Sequence, residues 1–200
     1  MKFQDMCAMS DELILRPLRR EDYSAFVAGY AACGPARNRF DEGSFDTSFL
    51  TEDWYERLLS RREREAAADY CYLFHLFRRE DGLAVGYGDI TTLFREDFQF
   101  AKIGYTIHNP WWGRGYGSQC AKLLTHLGFE ALNFHRLEAH VNLDNPASKA
   151  VLKKAGYRLE GVRKGFILEG GKWTDNEVYC QNHPGWQPNR EEKEDEHKAL

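Results

Sequence analysis

Residues 109–118 read Asn-Pro-Trp-Trp-Gly-Arg-Gly-Tyr-Gly-Ser, with glycine at positions 113, 115 and 117. They stand between a strand-like run ending near His108 and a helix-like run beginning near Ser118. Glycine lacks a Cβ and tolerates positive φ, so the backbone here can turn several N–H groups toward one point. A helix start adds unpaired donors and the positive end of its dipole. Together these bind an anion, and the anion expected is a pyrophosphate.

Two familiar users of such a turn do not fit. A dinucleotide-binding fingerprint needs G-x-G-x-x-G near the start of its domain and an acidic residue after the next strand. Here the third glycine comes one position early, and antiparallel strands precede the turn. A P-loop needs Lys-Ser/Thr after its last glycine, whereas Gly117 is followed by Ser118-Gln119. His75, His126 and His135 show no ligand spacing, and none of the five cysteines (7, 33, 71, 120, 180) is in a CxxC pair, so no metal is expected. The odd, scattered cysteines suit reduced thiols in the cytoplasm.

The elements that must position the turn follow in chain order. Leu13 to Leu18 reads as a first strand, ended or placed at an edge by Pro17. Asp22 caps a helix over Tyr23 to Ala32, stopped by Cys33-Gly34-Pro35. From Ala36 to Leu50 the chain is irregular, with Phe40, Phe45 and Phe49 among polar residues. It is either a surface loop pinned by its aromatics or a lid on the substrate side. Thr51 opens a helix to about Ala67, whose Arg/Glu run reads as a solvated face. Tyr70 to Arg78, Leu83 to Phe94 and Phe98 to His108 are three strands joined by short turns, an antiparallel meander.

After the glycine turn, Cys120, Leu123, Leu124, Leu127, Ala131 and Leu132 mark one face of a helix over Ser118 to Asn133. Arg136 to Asn142 then alternates as a strand, with Leu137, Ala139 and Val141 on one side. Strand, helix and strand of this length make a right-handed βαβ crossover with parallel strands. Asn145-Pro146 starts a further helix that ends at Gly156. Two last strands, Tyr157 to Glu169 and Lys172 to Cys180, meet at Gly170-Gly171. The fold expected is an α/β mixed sheet in a single domain over residues 1–183, with a charged, disordered tail over 184–200.

The totals agree. With 42% hydrophobic and 14% aromatic residues, a chain of 200 can bury a core. The net charge of −4, half of it in the tail, argues against direct nucleic-acid binding. No apolar run reaches the length of a membrane span, and residues 1–10 lack the apolar stretch of a secretory signal.

Taken with its neighbours, the turn resembles the acetyl-CoA turn of the GCN5-related N-acetyltransferases (GNAT), Gln/Arg-x-x-Gly-x-Gly/Ala. Trp112-Gly113-Arg114-Gly115-Tyr116-Gly117 keeps both small positions, with Trp112 in the Gln/Arg place. Asn142, Asn145 and Ser148, then Lys154-Ala155-Gly156-Tyr157 and Glu160-Gly161, resemble the N-x-x-N-x-x-S…K-x-G-F/Y…E-G run of the branch that acetylates ribosomal-protein N-termini. Leu15-Arg16-Pro17-Leu18 with Glu21-Asp22, Ile103-Gly104-Tyr105 and Gly171-Lys172-Trp173-x-Asp175 also resemble that branch, so the likeness covers about residues 13 to 181.

The resemblance implies the GNAT fold, in which the meander and the crossover leave a splayed pair of parallel strands. It implies acetyl-CoA as co-substrate, with the pyrophosphate on backbone N–H groups of Gly113, Arg114, Gly115, Tyr116, Gly117 and Ser118. Arg114 either adds a charge-assisted contact or is simply solvated. Ile107 and His108 would lie along the pantetheine arm, and Asn142 and Asn145 would bond its amides, although Asn145 also suits a helix cap. The reaction implied is direct attack by a neutral amine in a ternary complex, which needs a base for the ammonium and a proton for the thiolate.

Two positions depart from the wider family: Lys102 stands where a glutamate base is common, and Leu152 where a tyrosine acid is common. The candidates left are Ser148 at the sulfur, or as a cap, and Asp89, Glu138 and His140 on central strands, either near the amine or merely satisfied polar residues. Tyr105 reads as a core or pocket-wall aromatic. The acceptor expected is a protein N-terminal α-amine, with a small-molecule amine (polyamine, amino acid or aminoglycoside) or a non-catalytic acyl-CoA-binding module as alternatives. A homodimer is compatible with either.

Overall fold

The computed structural model describes residues 2–188, and the part of the expected tail from 189 onward lies outside them. Eight strands form one sheet in the order β1-β2-β3-β4-β5-β6-β8-β7. β1 (Ala8–Met9) pairs antiparallel with β2 (Leu13–Arg16). Two residues are too few to show a hydrophobic period, which is why the pattern of the sequence does not reveal β1. The meander is present as β3 (Cys71–Arg78), β4 (Ala84–Phe94) and β5 (Phe100–Ile107), each antiparallel to the last.

Helices cover both faces. On one face lie α3 (Tyr116–His126) and α4 (Pro146–Ala155). Cys120 and Leu124 of α3 are buried there with Leu15, Phe74, Ile90, Ile103 and Leu137 from the strands. Each such leucine or isoleucine contributes roughly 1.5–3 kcal/mol by leaving water. On the other face lie α1 (Tyr23–Ala31) and α2 (Glu52–Ala67), with Phe26, Leu50, Tyr55, Phe77 and Ala84 between them and the sheet.

The α-helix after the glycine turn is shorter than its periodicity suggests. It widens into a π-turn over Leu127–Ala131. Just before this, the Thr125 hydroxyl donates back to the Ala121 carbonyl at 2.8 Å, a bond that bends helices.

The feature that makes a site is the pairing of β5 with β6 (Arg136–Asn142). The two run parallel, but their register extends only from Phe100–Arg136 to Lys102–Glu138. Beyond Lys102 they splay, and the inter-strand gap is open toward the glycine turn. β8 (Lys172–Asn182) pairs with the far side of β6, which leaves β7 (Arg158–Glu169) as the outer edge. Past residue 183, Trp186 donates its indole N–H to the Asn133 carbonyl at 2.9 Å.

Candidate active site

The turn is built from the backbone outward. Asn109–Trp111 forms a single 3-10 turn with Pro110 inside it, and the Trp112 indole N–H closes onto the Ile107 carbonyl at 2.6 Å. That bond gives a physical reason for tryptophan at a position where glutamine or arginine is usual. Gly113 and Gly115 have φ of 81° and 79°, a region that residues with a Cβ enter at a cost. Gly115 caps α3, and the Gln119 N–H reaches its carbonyl at 3.1 Å. The N–H groups of Tyr116, Gly117 and Ser118 therefore precede the first helical bond.

A Cβ added at Gly113 or Gly115 would meet nothing within 4 Å, so the space over both is open. Gly117 is small for another reason: a Cβ there would stand 3.0 Å from Val151 Cγ2, where α4 packs on α3. Arg114 is exposed, with its guanidinium 5.3 Å from the Trp111 ring centroid.

From this turn a cleft of about 720 Å³ runs along the end of β5 to the start of α4. Ile107, His108, Gly113, Gly115, Tyr116, Gly117, Ser118, Asn145 and Ser148 all lie on its wall. Its size is that of a small-molecule site. Tyr105 is on the wall too, as a pocket-wall aromatic, and its hydroxyl sits 2.9 Å from the Ser148 hydroxyl. Asn145 caps α4 by accepting from the Ser148 N–H at 3.0 Å, so the Ser148 hydroxyl itself is not spent on the cap. Burial pushes the Tyr105 pKa up, which keeps its phenol protonated at neutral pH. His108 is buried against Tyr30, ring centroids 4.6 Å apart, and burial lowers its pKa to about 4.

Five of the residues singled out by sequence stand off this wall. Arg114 is one. Asn142 is another, and its side chain donates to Glu169 Oε2 at 2.7 Å. Glu138, almost fully buried, accepts from Arg136 Nη2 at 2.7 Å, lies 2.8 Å from His140 Nε2, and pairs with Arg163 Nη1 at 3.1 Å. Burial alone would raise its pKa, but donors on His140 and Arg136, with the charge of Arg163, outweigh it and hold it at about 2. Such a carboxylate is a weak base, and His140 is engaged with it. Asp89 sits on the α1/α2 face of the sheet, its Oδ2 accepting from Thr91 at 2.8 Å, and burial raises its pKa. Leu152, in the position where an acid is common, is fully buried in the core.

The opposite wall comes from the irregular segment after α1, the lid candidate, which is pinned by aromatics. Phe45 packs on Tyr30 and Phe49 on Trp54, while Asn38, Phe40, Asp41, Glu42 and Gly43 face the cleft. Asn109, only 1% exposed, is its anchor. The Asn109 side chain donates to the Gly34 carbonyl (2.9 Å), the Pro35 carbonyl (3.2 Å) and Asp41 Oδ2 (3.0 Å), and accepts from the Gly34 N–H (3.0 Å). Arg39 reaches across to Asp144, donating from Nε at 3.0 Å. Burial works against the charge on Asp41, yet donors from Asn109, Arg37 and Gly43 hold its pKa below the usual range. Glu42 accepts from the Tyr87 hydroxyl. The signal for this wall was the Asn109 at the head of the glycine motif, but nothing local says that its partners lie some 70 residues upstream.

Among the described residues no group of three or more His, Cys, Asp or Glu is placed to hold a metal ion, and no helix is long and apolar enough to cross a membrane.

Comparison with known proteins agrees with the geometry. A family model described as an acetyltransferase (GNAT) domain matches residues 12–158. A probable N-acetyltransferase of Bacillus subtilis (strain 168), YjcK, is 30% identical over 139 residues, covering 70% of this chain and 76% of that one. The [Ribosomal protein uS5]-alanine N-acetyltransferase of Escherichia coli (strain K12) is 25% identical over 183 residues, 90% of this chain and 93% of the relative. Among solved structures, Mycobacterium smegmatis RimJ in complex with CoA-disulfide superposes with a TM-score of 0.73 over 92% of each chain at 23% identity, which shows a shared fold.

Proposed function

The chain belongs to the GNAT acetyltransferase family and is an acetyl-CoA-dependent N-acetyltransferase, and from that premise we propose that its acceptor is a protein N-terminal α-amine, as for a ribosomal-protein acetyltransferase. The observation that carries the reading is the cleft itself. One end is an anion-binding helix start, the middle passes the stretch of β5 that has no partner on its β6 side, and the far wall carries the lid carboxylates Asp41 and Glu42. A molecule with a pyrophosphate at one end and a thioester at the other fits the first two parts. A cationic amine fits the third, since carboxylates attract it electrostatically. The likeness to the uS5-alanine enzyme over nine-tenths of the chain supports a polypeptide as the carrier of that amine.

In this reading the N–H groups of Tyr116, Gly117 and Ser118, with the backbone of Gly113 to Gly115, hold the pyrophosphate. Ile107 and His108 flank the pantetheine arm, and Asn145 both caps α4 and faces that arm. The Ser148 and Tyr105 hydroxyls form a pair that delivers a proton to the departing thiolate. The donor's chemistry when bound is that of a thioester, whose carbonyl accepts the amine. The single domain over residues 1–183, the cytoplasmic site of action and a homodimeric assembly belong to the same proposal.

The test is thiol release from acetyl-CoA with peptides beginning in alanine or serine, the acetylated product being located by mass spectrometry. Acetylation of the α-amine of such a peptide is expected. Turnover of spermidine or free amino acids with no peptide turnover would overturn the acceptor, and tight acetyl-CoA binding without transfer to any amine would overturn the activity.

A further inference from the structure

Resting on that reading, we propose that Glu42 of the lid is the group that takes the proton from the acceptor ammonium. An amine is largely protonated at neutral pH and has no lone pair to attack with, so some base must free it. Glu138 is saturated by Arg136, Arg163 and His140, and the cleft wall does not include it. Asp89 is also off the wall, under Thr91 and against the backbone of Gly104, where an added Cβ would stand 2.5 Å from its carboxylate.

Three carboxylates do line the cleft, and they differ in what already occupies them. Asp144 is paired with Arg39. Asp41 takes donors from Asn109, the Arg37 N–H and the Gly43 N–H. Glu42 accepts the Tyr87 hydroxyl, and none of the ion pairs found among the described residues involves it. It is also exposed, so a proton it receives can pass to water.

Position supports the role. Tyr87 lies on β4 directly opposite Thr106 of β5, in the stretch where β5 has left β6. The alternation of β5 puts Thr106 on the face opposite Tyr105, whose hydroxyl meets Ser148. Glu42 and the Ser148–Tyr105 pair therefore address the splayed gap from its two faces, one on the amine side and one on the sulfur side. The lid is held still enough for this, since residues 34, 35 and 41 are all bonded to the buried Asn109.

The protons balance. Glu42 takes one of the three protons of the ammonium. The freed lone pair forms the N–C bond to the thioester carbonyl carbon as the C–S bond breaks. A second nitrogen proton ends on the thiolate sulfur through the Ser148–Tyr105 hydroxyls, the third stays on the amide, and Glu42 gives its own to water.

The experiment compares Glu42→Gln with wild type on two classes of acceptor. One is the basic amine that the wild type turns over fastest among alanine- and serine-initiated peptides and spermidine. The other is hydroxylamine, already neutral at pH 7, which needs no base. Gln keeps an oxygen for the Tyr87 hydroxyl, so the lid should stay in place. For Glu42→Gln, kcat/KM for the basic amine is expected to fall about 100-fold or more at pH 7, recovering as pH approaches the amine's own pKa, with hydroxylamine within about threefold of wild type. Acetyl-CoA affinity should not change. An equal loss on both acceptors would make Glu42 a positioning residue, and no loss on either would remove it from the chemistry. Both results overturn the proposal. A wild type that acetylates spermidine but no peptide overturns only the acceptor assigned above, and Glu42 is then judged on spermidine by the same ratio. A wild type active on hydroxylamine but on no basic amine overturns both.

Discussion

At the scale of single residues, the cleft depends on hydroxyls and amides whose roles the sequence leaves double. Ser148 was readable as a cap or as a donor at sulfur, and the structure separates the two: Asn145 provides the cap, and the Ser148 hydroxyl meets Tyr105 instead. The Ser148–Tyr105 pair should matter as a unit. Ser148→Ala and Tyr105→Phe are each expected to lower kcat by about 100-fold, with little change in KM for acetyl-CoA, and the double variant should be little worse than either single one. Steady-state kinetics at saturating acceptor checks this, and fully additive losses would mean that the two hydroxyls act separately. Arg114 shows the limit of reading at this scale. A cation inside a glycine-rich turn invites an ionic role, yet its guanidinium lies by the Trp111 ring, a contact with no sequence signature.

At the scale of elements, periodicity reveals what is regular and misses what is tied by single bonds. The meander, α3, α4 and the crossover were all legible, because alternation and helical spacing are local signals. The lid was not, because its conformation is imposed by Asn109 from far along the chain. Asn109→Ala leaves the Gly34 and Pro35 carbonyls and the Gly34 N–H without that partner. It should release the lid segment and raise KM for the amine acceptor about tenfold or more, while acetyl-CoA affinity stays near wild type. Calorimetry with acetyl-CoA alongside acceptor kinetics separates these, and a matching loss of both affinities would refute an effect confined to the lid. β6 carries a second tie, the Glu138 carboxylate joined to Arg136, His140 and Arg163. It binds β6 to β7 across β8. Glu138→Gln takes the carboxylate from two partly exposed arginines, of which Arg136 keeps Glu160, and should cost on the order of 1–3 kcal/mol in urea unfolding, with a far smaller effect on kcat in protein that remains folded. A large kcat loss at unchanged stability would return Glu138 to the chemistry.

At the scale of the whole molecule, one sheet with helices on both faces leaves two histidines with almost no surface in water. His75 lies beneath α1 against Phe26, and His108 lies under Tyr30 beside the cleft. Burial lowers their pKa values to about 3 and about 4 respectively. Nothing in the sequence singled out His75, since a histidine within an alternating strand looks the same whether its face is covered or wet. The sign of the consequence follows from linkage. Below about pH 6.5 the unfolded chain binds a proton at each histidine while the folded chain does not, so acid favours unfolding. Each group contributes stability in full above about pH 6.5, and that contribution declines until the folded-state pKa is reached. The maximal slope is about 1.4 kcal/mol per pH unit for each histidine. Urea unfolding between pH 7 and pH 4 should therefore show stability falling with acidity. His108→Gln should flatten that slope by up to one histidine's share, whatever it does to the stability at pH 7. The comparison of slopes cancels the other titrating groups, which are common to both proteins. An unchanged slope in His108→Gln would mean that His108 takes up its proton as readily in the folded chain as in the unfolded one, so that burial does not lower its pKa.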